Sequence, residues 1–340
     1  MSNPFITIIM PVYNATASLE KSVGSIINQT FQNFELLIVD DCSKDDSFNL
    51  CRKFAVNDSR IKILQTEKNS GAAAARNLAL NQFNGQYINF VDADDWIESD
   101  VLERIAEILS NDNKIDCLKY GCSEDYFNGE TLTYNKICNP GSAILIDELA
   151  IKQKIVELET MPLFGYIWNG FYRAQLINQF QIKFDENRRV NEDFDFNIAF
   201  FEHVKKFQTV DVIGYHYEKR NLSSLSSQAN NYSYEINRQK ITSLVKLFEE
   251  IPRETREQIF WLYVRFCYLS LTNGGGIDAI YKDRLFEELK RTKFNNVNFK
   301  QRLMIELLRN KVFSPLLSSA VYFIGFIKRN YPSLFAKLKR

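Results

Sequence analysis

The first hundred residues alternate four short apolar or β-branched runs with segments in which apolar residues recur at helical spacing. The runs cover residues 6–12, 36–39, 61–64 and 87–91, and the helical patterns lie at 19–27, at 45–56 and from Gly71 onward. Strands separated by helical segments of about ten to fifteen residues are typical of a parallel sheet with right-handed crossovers. The alternation predicts an α/β fold with a mostly parallel central sheet flanked by helices.

Carboxylates follow two of these runs at the point where each run ends. Asp41 comes after the second run, and Asp92, Asp94 and Asp95 follow the fourth. Open α/β folds bind ligands at the carboxyl edge of the sheet, so these side chains should meet there, with Tyr13 after the first run. Closely spaced carboxylates supply the hard oxygen ligands that suit Mg²⁺ or Mn²⁺ on a diphosphate. The structural alternative is that Asp41 and Asp95 only cap helices.

Composition excludes several other classes of protein. The 340 residues carry 42 basic and 42 acidic side chains, so no global field attracts nucleic acid, and we predict no nucleic-acid partner. The six cysteines form no Cys-x-x-Cys pair and only two histidines are present, which argues against a structural zinc site. Neither a dinucleotide-binding glycine fingerprint nor a phosphate-binding P-loop occurs.

The two ends of the chain bear on its location. The amino terminus lacks the charged and apolar regions of a signal peptide, and no run reaches the length of a membrane span, so we expect a cytoplasmic protein with reduced cysteines. Residues 294–340 contain nine basic side chains and one acidic, a net charge of +8. Such a tail, 312–340 in particular, favours peripheral contact with an anionic membrane on its inner face. A helical cap or a dimer surface is an equal alternative, and the sequence does not set the oligomeric state.

Four successive motifs within residues 5–100 resemble those of a family 2 glycosyltransferase with the glycosyltransferase-A fold: ITIIMPVYNA, SIINQTFQNFELLIVDDCSKDDS, NSGAAAARNLAL and GQYINFVDADDW. The resemblance continues more weakly through WNGFYRAQLI, NEDFDF and YHYEKRNLSSLS, and it ends at about residue 230. It implies a catalytic domain at 1–228, with a nucleotide-sugar half at 1–100 and an acceptor half at 101–228. Residues 229–340 then form a C-terminal helical region, in which the glycine run 273–276 is a hinge or linker.

The resemblance also implies a nucleotide-diphosphate sugar, by expectation a UDP-sugar, and Mn²⁺ or Mg²⁺ as cofactor. Matched by position, the nucleotide-sugar-binding residues are Pro11, Val12, Tyr13, Asp41, Asn69, Arg76 and Asp92. Asp94 would bind the metal, Asp92 would reach the ribose or the metal shell, and His216 would complete that shell. A buried histidine with satisfied nitrogens is the alternative for His216.

The expected catalytic base is Asp193. A direct displacement at the anomeric carbon needs one carboxylate to accept the proton of the acceptor hydroxyl, and Asp193 matches the base in the family's Glu-Asp motif. One base opposite a metal-bound leaving group implies inversion of the anomeric configuration. The pair Glu192-Asp193 also suits a helix start, and Asp195 is the less favoured carboxylate.

Two further sets of residues are candidates for substrate contact. Arg220, Ser224 and Ser226 match a mobile segment that folds over the diphosphate in the family. Tyr166, Trp168, Phe171 and Tyr172 form an aromatic cluster that either stacks on sugar rings or belongs to the core.

These expectations point to an inverting, metal-dependent hexosyltransferase or N-acetylhexosaminyltransferase. Its acceptor would be a glycan or lipid-linked glycan in the synthesis of a bacterial capsule, lipopolysaccharide or other surface polysaccharide. Transfer to polyprenyl phosphate and a non-catalytic nucleotide-sugar-binding protein are the competing hypotheses.

Overall fold

The structure, a computed structural model, describes residues 3–188, 190–220, 234–272, 277–291 and 299–309. The chain divides into two compact units, residues 1–220 and 221–340. The predicted boundary at 228, Ser224 and Ser226, the glycine run 273–276 and the tail 312–340 all lie outside the described residues.

The first half of unit 1 follows the predicted alternation of strands and helices. Its elements are β1 (Ile6–Val12), α1 (Leu19–Ile27), β2 (Phe34–Asp40), α2 (Ser47–Asn57), β3 (Ile61–Gln65), α3 (Ala72–Leu80) and β4 (Tyr87–Phe90). The four strands are parallel and lie in the order β3-β2-β1-β4. Every residue of β2 and β4 is buried, as expected of strands covered on both faces. The predicted parallel sheet is confirmed for this half.

The second half of unit 1 extends the same sheet with mixed strand directions. Its elements are β5 (Trp96–Ile97), α4 (Val101–Asn111), β6 (Cys117–Asn128), β7 (Thr131–Cys138), β8 (Ala143–Leu145), α5 (Glu148–Thr160), β9 (Gly170–Arg173), α6 (Ala174–Phe180), α7 (Glu192–Phe201) and β10 (Phe207–Arg220). Beyond β4 the order continues β9-β6-β10-β5, with β7 paired to β6 and β8 to β10. Only β6 and β10 are parallel among these pairs.

The mixed half corrects one sequence prediction. The turn-forming residues Asn128-Gly129 and Asn139-Pro-Gly141 predict a stretch rich in loops, but β6 and β7 form a long hairpin that turns at Gly129, whose φ is +60°. Charged residues within these strands hide the pattern, because Glu124 and Lys136 face each other across the hairpin and satisfy each other.

Aromatic packing fixes α7 against the centre of the sheet. Phe196 of α7 meets Phe90 of β4 edge-to-face, with ring centroids 5.7 Å apart, and Tyr172 of β9 at 5.6 Å. Trp168, Phe171 and Tyr172 are at most 2% exposed. The core interpretation of the predicted aromatic cluster is therefore correct for these three residues, and only Tyr166 is partly exposed.

Unit 2 is helical where the structure describes it, as predicted. It contains α8 (Tyr234–Lys246), α9 (Arg253–Thr272), α10 (Ile277–Lys282), α11 (Arg284–Arg291) and α12 (Phe299–Arg309). A polar cluster joins α8, α9 and the residue between α10 and α11: Tyr234 Oη lies 2.8 Å from Tyr263 Oη, and Arg238 Nη2 donates to Asp283 at 3.3 Å. Across the described segments of both units, no helix combines the length and apolar character needed to cross a bilayer.

Candidate active site

The predicted nucleotide residues lie at the carboxyl edge of β1, β2 and β4, but they differ in exposure. Tyr13 is 43% exposed and Pro11 is partly exposed, so both side chains can meet a ligand. Asn69 is exposed on the loop between β3 and α3. Val12 is 1% exposed and its carbonyl accepts the backbone N–H of Asp41 at 2.8 Å. Because β1 buries the Val12 side chain in the core, a nucleotide would have to meet Val12 through its backbone, and this role stays a prediction.

Asp41 organises the loop that precedes α3. Its carboxylate accepts the Thr66 hydroxyl at 2.7 Å and the backbone N–H groups of Ser70 at 2.9 Å and Gly71 at 2.7 Å. Gly71 has a φ of +91°, a left-handed conformation that glycine adopts without strain. Asp41 therefore holds the loop that carries Asn69, and its role toward a nucleotide stays a prediction.

We expect Asp41→Ala to destabilise the fold as well as weaken nucleotide binding. The substitution leaves three hydrogen-bond donors without the buried carboxylate that accepts them. This loss should lower the free energy of unfolding by roughly 1.5–3 kcal/mol. Urea unfolding measures this loss. Asp46→Ala, at an exposed aspartate that contacts only the Asn49 side chain among the bonds described, is the control and should change stability far less. An unaltered unfolding midpoint in Asp41→Ala would contradict the assigned contacts.

Arg76 connects the donor-side aspartate to the expected base. It lies on α3 with its side chain 4% exposed; Nη2 donates to Asp92 Oδ1 at 2.9 Å, and Nη1 to Asp193 Oδ1 at 3.0 Å. Glu192 Oε1 lies 3.4 Å from the same Nη1. Asp92 thus shares one guanidinium with Glu192 and Asp193, which lie 100 and 101 positions later in the sequence. Arg76 was predicted to flank the nucleotide, and the structure places it among the carboxylates.

Removing the Arg76 charge should lower the free energy of unfolding. In Arg76→Met three carboxylates lose their shared partner, and breaking a buried ion pair from one side costs about 3 kcal/mol. Urea unfolding should show this loss most fully above pH 8, where Asp193 is a carboxylate, and should show a smaller loss at acidic pH, where the carboxylates are protonated. Arg104→Met removes an exposed pair with Asp100 and should cost less than about 1 kcal/mol. Equal losses in both variants would mean that Arg76 is not the centre of a coupled cluster.

The environment of Asp193 suits a base that works near neutral pH. Burial raises the pKa of Asp193 to about 8; the charges of Glu192 and Asp92 act in the same direction, and those of Arg76 and Lys119 oppose them. A general base is most effective when its pKa lies close to the working pH.

Asp195 belongs to a different set of contacts. Its Oδ2 pairs with Arg188 Nε at 2.7 Å, whereas Asp193, two residues earlier on α7, pairs with Arg76. The two aspartates are therefore separable by substitution.

Of the other two aspartates in the segment 92–95, Asp95 is buried and Asp94 is exposed. Asp95 is 1% exposed; it accepts the Tyr215 hydroxyl at 2.7 Å and the backbone N–H of Glu218 at 2.9 Å. The capping alternative for Asp95 is wrong, since α4 begins after Asp100. Asp94 is exposed and makes no ion pair with any described residue. Desolvation by the protein around it, together with the charge of Asp92, raises the pKa of Asp94 to about 6.

These carboxylates fit a divalent cation that arrives with its substrate. Among the described residues, no three His, Cys, Asp or Glu side chains converge as a preformed metal site. Mg²⁺ usually takes one or two carboxylates and completes its shell with substrate phosphates and water. Asp94, with an unpaired carboxylate beside the charge of Asp92, offers that donor set.

His216 is not available as a metal ligand in this structure. Its Nδ1 lies 2.8 Å from Asp125 Oδ2 and its Nε2 lies 2.9 Å from Glu98 Oε1. The ring also stacks on Trp96, with centroids 3.6 Å apart. Both nitrogens are satisfied, as in the alternative, so a role of His216 as a metal ligand stays a prediction that would require one of these contacts to be replaced.

Arg220, the predicted donor to the diphosphate, is likewise engaged by carboxylates. Its guanidinium contacts Glu218 Oε2 at 2.9 Å and Glu130 Oε2 at 3.1 Å. These contacts anchor the end of β10, and any contact with a diphosphate would have to replace them.

Sequence reasoning missed two buried residues that support the site. The Tyr215 hydroxyl accepts the backbone N–H of Asp92 at 3.2 Å while it donates to Asp95, so it fixes the turn that carries the aspartates. Lys119 is fully buried, and its Nζ donates to the Tyr166 carbonyl at 2.6 Å and to Asn169 Oδ1 at 2.9 Å. A single lysine inside the apolar run 117–122 was the available signal for Lys119, whereas nothing distinguishes Tyr215 from a core tyrosine.

Comparison with known proteins places this geometry in a family. The model of glycosyl transferase family 2 matches residues 7–156, which include β1, β4 and the aspartates between β4 and β5. These residues form a family 2 glycosyltransferase domain. The chain is similar to glycosyltransferase GlyA of Streptococcus pneumoniae serotype 4, with 36% identity over 189 residues. It is also similar to WfgD of Escherichia coli, a UDP-Glc:α-D-GlcNAc-diphosphoundecaprenol β-1,3-glucosyltransferase, with 37% identity over 147 residues.

The sequence alignments cover only part of this chain and of each relative, whereas the structural alignment covers nearly all of both chains. The GlyA alignment covers 53% of this chain and 26% of GlyA, and the WfgD alignment covers 40% and 56%. The chain therefore spans less than two thirds of either relative. Staphylococcus aureus TarS, residues 1–349, solved with UDP-GlcNAc, is similar over 97% of this chain and 92% of TarS, with a TM-score of 0.60 and 20% identity. This likeness shows that the glycosyltransferase domain has the glycosyltransferase-A fold.

Proposed function

We propose that the protein is an inverting, metal-dependent glycosyltransferase that moves a sugar from a UDP-sugar to a hydroxyl of a bacterial surface glycan. The observation that carries the proposal is the Arg76 cluster, which joins Asp92 on the donor side to Asp193 on the acceptor side. Asp94 stands two residues from Asp92 at the same sheet edge.

The arrangement supports a direct displacement. Asp193, as carboxylate, accepts the proton of the acceptor hydroxyl while that oxygen bonds to the anomeric carbon and the bond from this carbon to the diphosphate oxygen breaks. The anomeric configuration inverts because attack comes from the face opposite the departing UDP. Arg76 keeps Asp193 oriented and offsets its negative charge. A cation bound at Asp94 would neutralise charge on the leaving diphosphate.

The relatives suggest the class of donor and acceptor. TarS was solved with UDP-GlcNAc, and WfgD is named for UDP-glucose and a lipid-diphosphate-linked GlcNAc. By analogy we propose a UDP-hexose or UDP-N-acetylhexosamine as donor. The proposed acceptor is a glycan, free or lipid-linked, of a capsule, lipopolysaccharide or other surface polysaccharide. A non-catalytic binder would need a nucleotide site but not a partly buried base such as Asp193.

Slow hydrolysis of the donor tests this proposal without knowledge of the acceptor. The purified chain is incubated with a panel of UDP-, GDP- and dTDP-sugars, with Mn²⁺, with Mg²⁺ and with EDTA, and release of the nucleoside diphosphate is measured. We expect hydrolysis of at least one UDP-sugar that requires the metal. Hydrolysis that persists in EDTA would refute metal dependence, and no release from any UDP-sugar would refute the proposed donor class.

We also propose that residues 312–340 hold the enzyme on anionic membranes. Support comes from the sequence alone, through the net charge of +8 over 294–340 and the apolar residues between 312 and 327. Deletion of 312–340 should release the protein from phosphatidylglycerol vesicles in a flotation assay and leave donor hydrolysis intact. A full-length chain that does not bind such vesicles at low salt would contradict the proposal.

A further inference from the structure

One face of the β6, β7 and β10 strands combines tyrosine rings and lysines. In register, Tyr217 lies opposite Glu124 and Lys219 opposite Tyr126 in the β6–β10 pair. Across the β6–β7 pair, Lys136 lies opposite Glu124 and Tyr134 opposite Tyr126. Partners at the same register point to the same side of a sheet. We call these side chains the tyrosine–lysine face: Glu124, Tyr126, Tyr134, Lys136, Tyr217 and Lys219.

Glu124 is the centre of this face and is almost completely buried. Its carboxylate lies 3.0 Å from Lys219 Nζ and 3.4 Å from Lys136 Nζ, and it accepts the Tyr126 hydroxyl at 3.0 Å. Burial raises the pKa of Glu124, but the charges of the two lysines lower it by more, so the pKa lies below its ordinary value. Lys136 also hydrogen-bonds the Cys138 side chain. Two lysines share the Glu124 carboxylate, so the six side chains of the face together carry a net charge of +1.

The lysines and rings around Glu124 remain accessible. The Lys136 and Lys219 side chains are 38% and 28% exposed, and Tyr134 is 45% exposed. Lys219 Nζ stands 4.9 Å from the ring centre of Tyr217 and 5.1 Å from that of Tyr126. Partly exposed tyrosine rings beside an ammonium group present an apolar surface next to a positive charge.

A continuous series of ring contacts connects this face to the aspartates of the site. Tyr217 meets Tyr166 at 5.8 Å, Tyr166 stacks on Trp168 at 4.5 Å, and Trp168 stacks on Tyr215 at 4.0 Å. The Tyr215 hydroxyl in turn accepts the backbone N–H of Asp92. The face is therefore joined to the donor side by side chains in direct contact.

The same segment is fixed relative to the expected base. Asn197 lies one helical turn after Asp193 on α7, and its Nδ2 donates to the Tyr166 carbonyl at 3.1 Å. Lys119 donates to that same carbonyl at 2.6 Å. Tyr166 is thus held between the base-bearing helix and the tyrosine–lysine face.

We infer that the tyrosine–lysine face is the acceptor-binding surface and that the acceptor is an acidic glycan. The inference rests on the proposed function and specifies its substrate class. Sugar rings bury their C–H faces against tyrosine, while a carboxylate or phosphate of the glycan takes the excess positive charge of Lys136 and Lys219. A neutral glycan would form no ion pair with these lysines.

Binding of three defined oligosaccharides to the full chain tests this inference. The probes are a hyaluronan tetrasaccharide, which carries carboxylates, a glycerol-phosphate tetramer, which carries phosphates, and neutral chitotetraose, each followed by ligand-observed NMR at low salt. We expect an acidic probe to bind more tightly than chitotetraose, and its affinity to fall about tenfold in Lys219→Gln, the loss of one charge-assisted hydrogen bond. The two acidic arms distinguish a carboxylate ligand from a phosphate ligand.

Matched variants separate recognition from folding. Lys62→Gln removes a lysine from another pair with a buried glutamate, Lys62 with Glu35 at 2.7 Å, and should leave probe binding unchanged. Tyr134→Ser alters an exposed ring, so weakened binding without a change in melting temperature supports the assignment. Donor hydrolysis should be intact in all three variants.

The outcomes distinguish this inference from the proposed function. A wild-type chain that hydrolyses no UDP-sugar contradicts the proposed function itself. A wild-type chain that hydrolyses its donor overturns the inference under any of three results: neither acidic probe binds, chitotetraose binds best, or Lys219→Gln and Tyr134→Ser bind the acidic probe like wild type.

Discussion

Asp193→Asn is expected to lower the rate of sugar transfer by ~10²–10⁴-fold while UDP and Mn²⁺ bind as in the wild type. The amide is nearly isosteric with the carboxylate but cannot take the proton of the acceptor hydroxyl. It can still accept a hydrogen bond from Arg76, which now lies 3.0 Å from Asp193. Transfer is measured with the donor identified by the hydrolysis panel, and UDP affinity by calorimetric titration.

The pH dependence of transfer provides a second measurement on the same residue. Since the base must be a carboxylate and the pKa of Asp193 is raised to about 8, wild-type transfer should increase as the pH rises through neutrality. This rise should be absent from the residual activity of Asp193→Asn.

Asp195→Asn is the control for this substitution, because Asp195 pairs with Arg188 and not with Arg76. We expect it to transfer sugar at nearly the wild-type rate. Loss of transfer in Asp195→Asn, with retention in Asp193→Asn, would show that the base has been assigned to the wrong carboxylate.

Asp94→Ala should abolish the dependence of UDP binding on Mn²⁺. The variant loses the exposed carboxylate that has no ion-pair partner among the described residues, and the diphosphate charge is then left uncompensated. Calorimetric titration of UDP with and without Mn²⁺ measures the effect. Asp100→Ala removes another exposed aspartate, at the start of α4, and should leave the titration unchanged.

The pH dependence of wild-type binding follows from the same carboxylate. Metal ligands must be deprotonated, and the pKa of Asp94 is raised to about 6, so Mn²⁺-dependent UDP affinity should fall as the pH drops through 6. An Asp94→Ala variant that still binds UDP more tightly with Mn²⁺ would remove Asp94 from the metal site.

In the nucleotide half, residues 1–100, local sequence patterns are sufficient to predict the helices and strands. Strands β1, β2 and β4 are buried on both faces and the helices are amphipathic, so these elements carry their own patterns, and β1 begins and ends where the sequence predicts. The acceptor half lacks such patterns, because pairs such as Glu124 with Lys136 place charges inside its strands. The cost of burying such a charge is offset by a partner on another strand, and a short stretch of sequence does not contain that partner.

The same distinction applies within the site. The sequence by itself determined that aspartates would stand at the ends of parallel strands, because a carboxylate that ends an apolar run needs water or hydrogen-bond donors, and these are found at the edge of the sheet. Only the tertiary structure decided what each of them meets. Asp41 accepts hydrogen bonds from loop N–H groups, and His216 contacts two carboxylates. Arg76 pairs with both Asp92 and Asp193. These outcomes depend on long-range pairing, since a buried polar group takes whichever partner the packing of distant elements brings within reach.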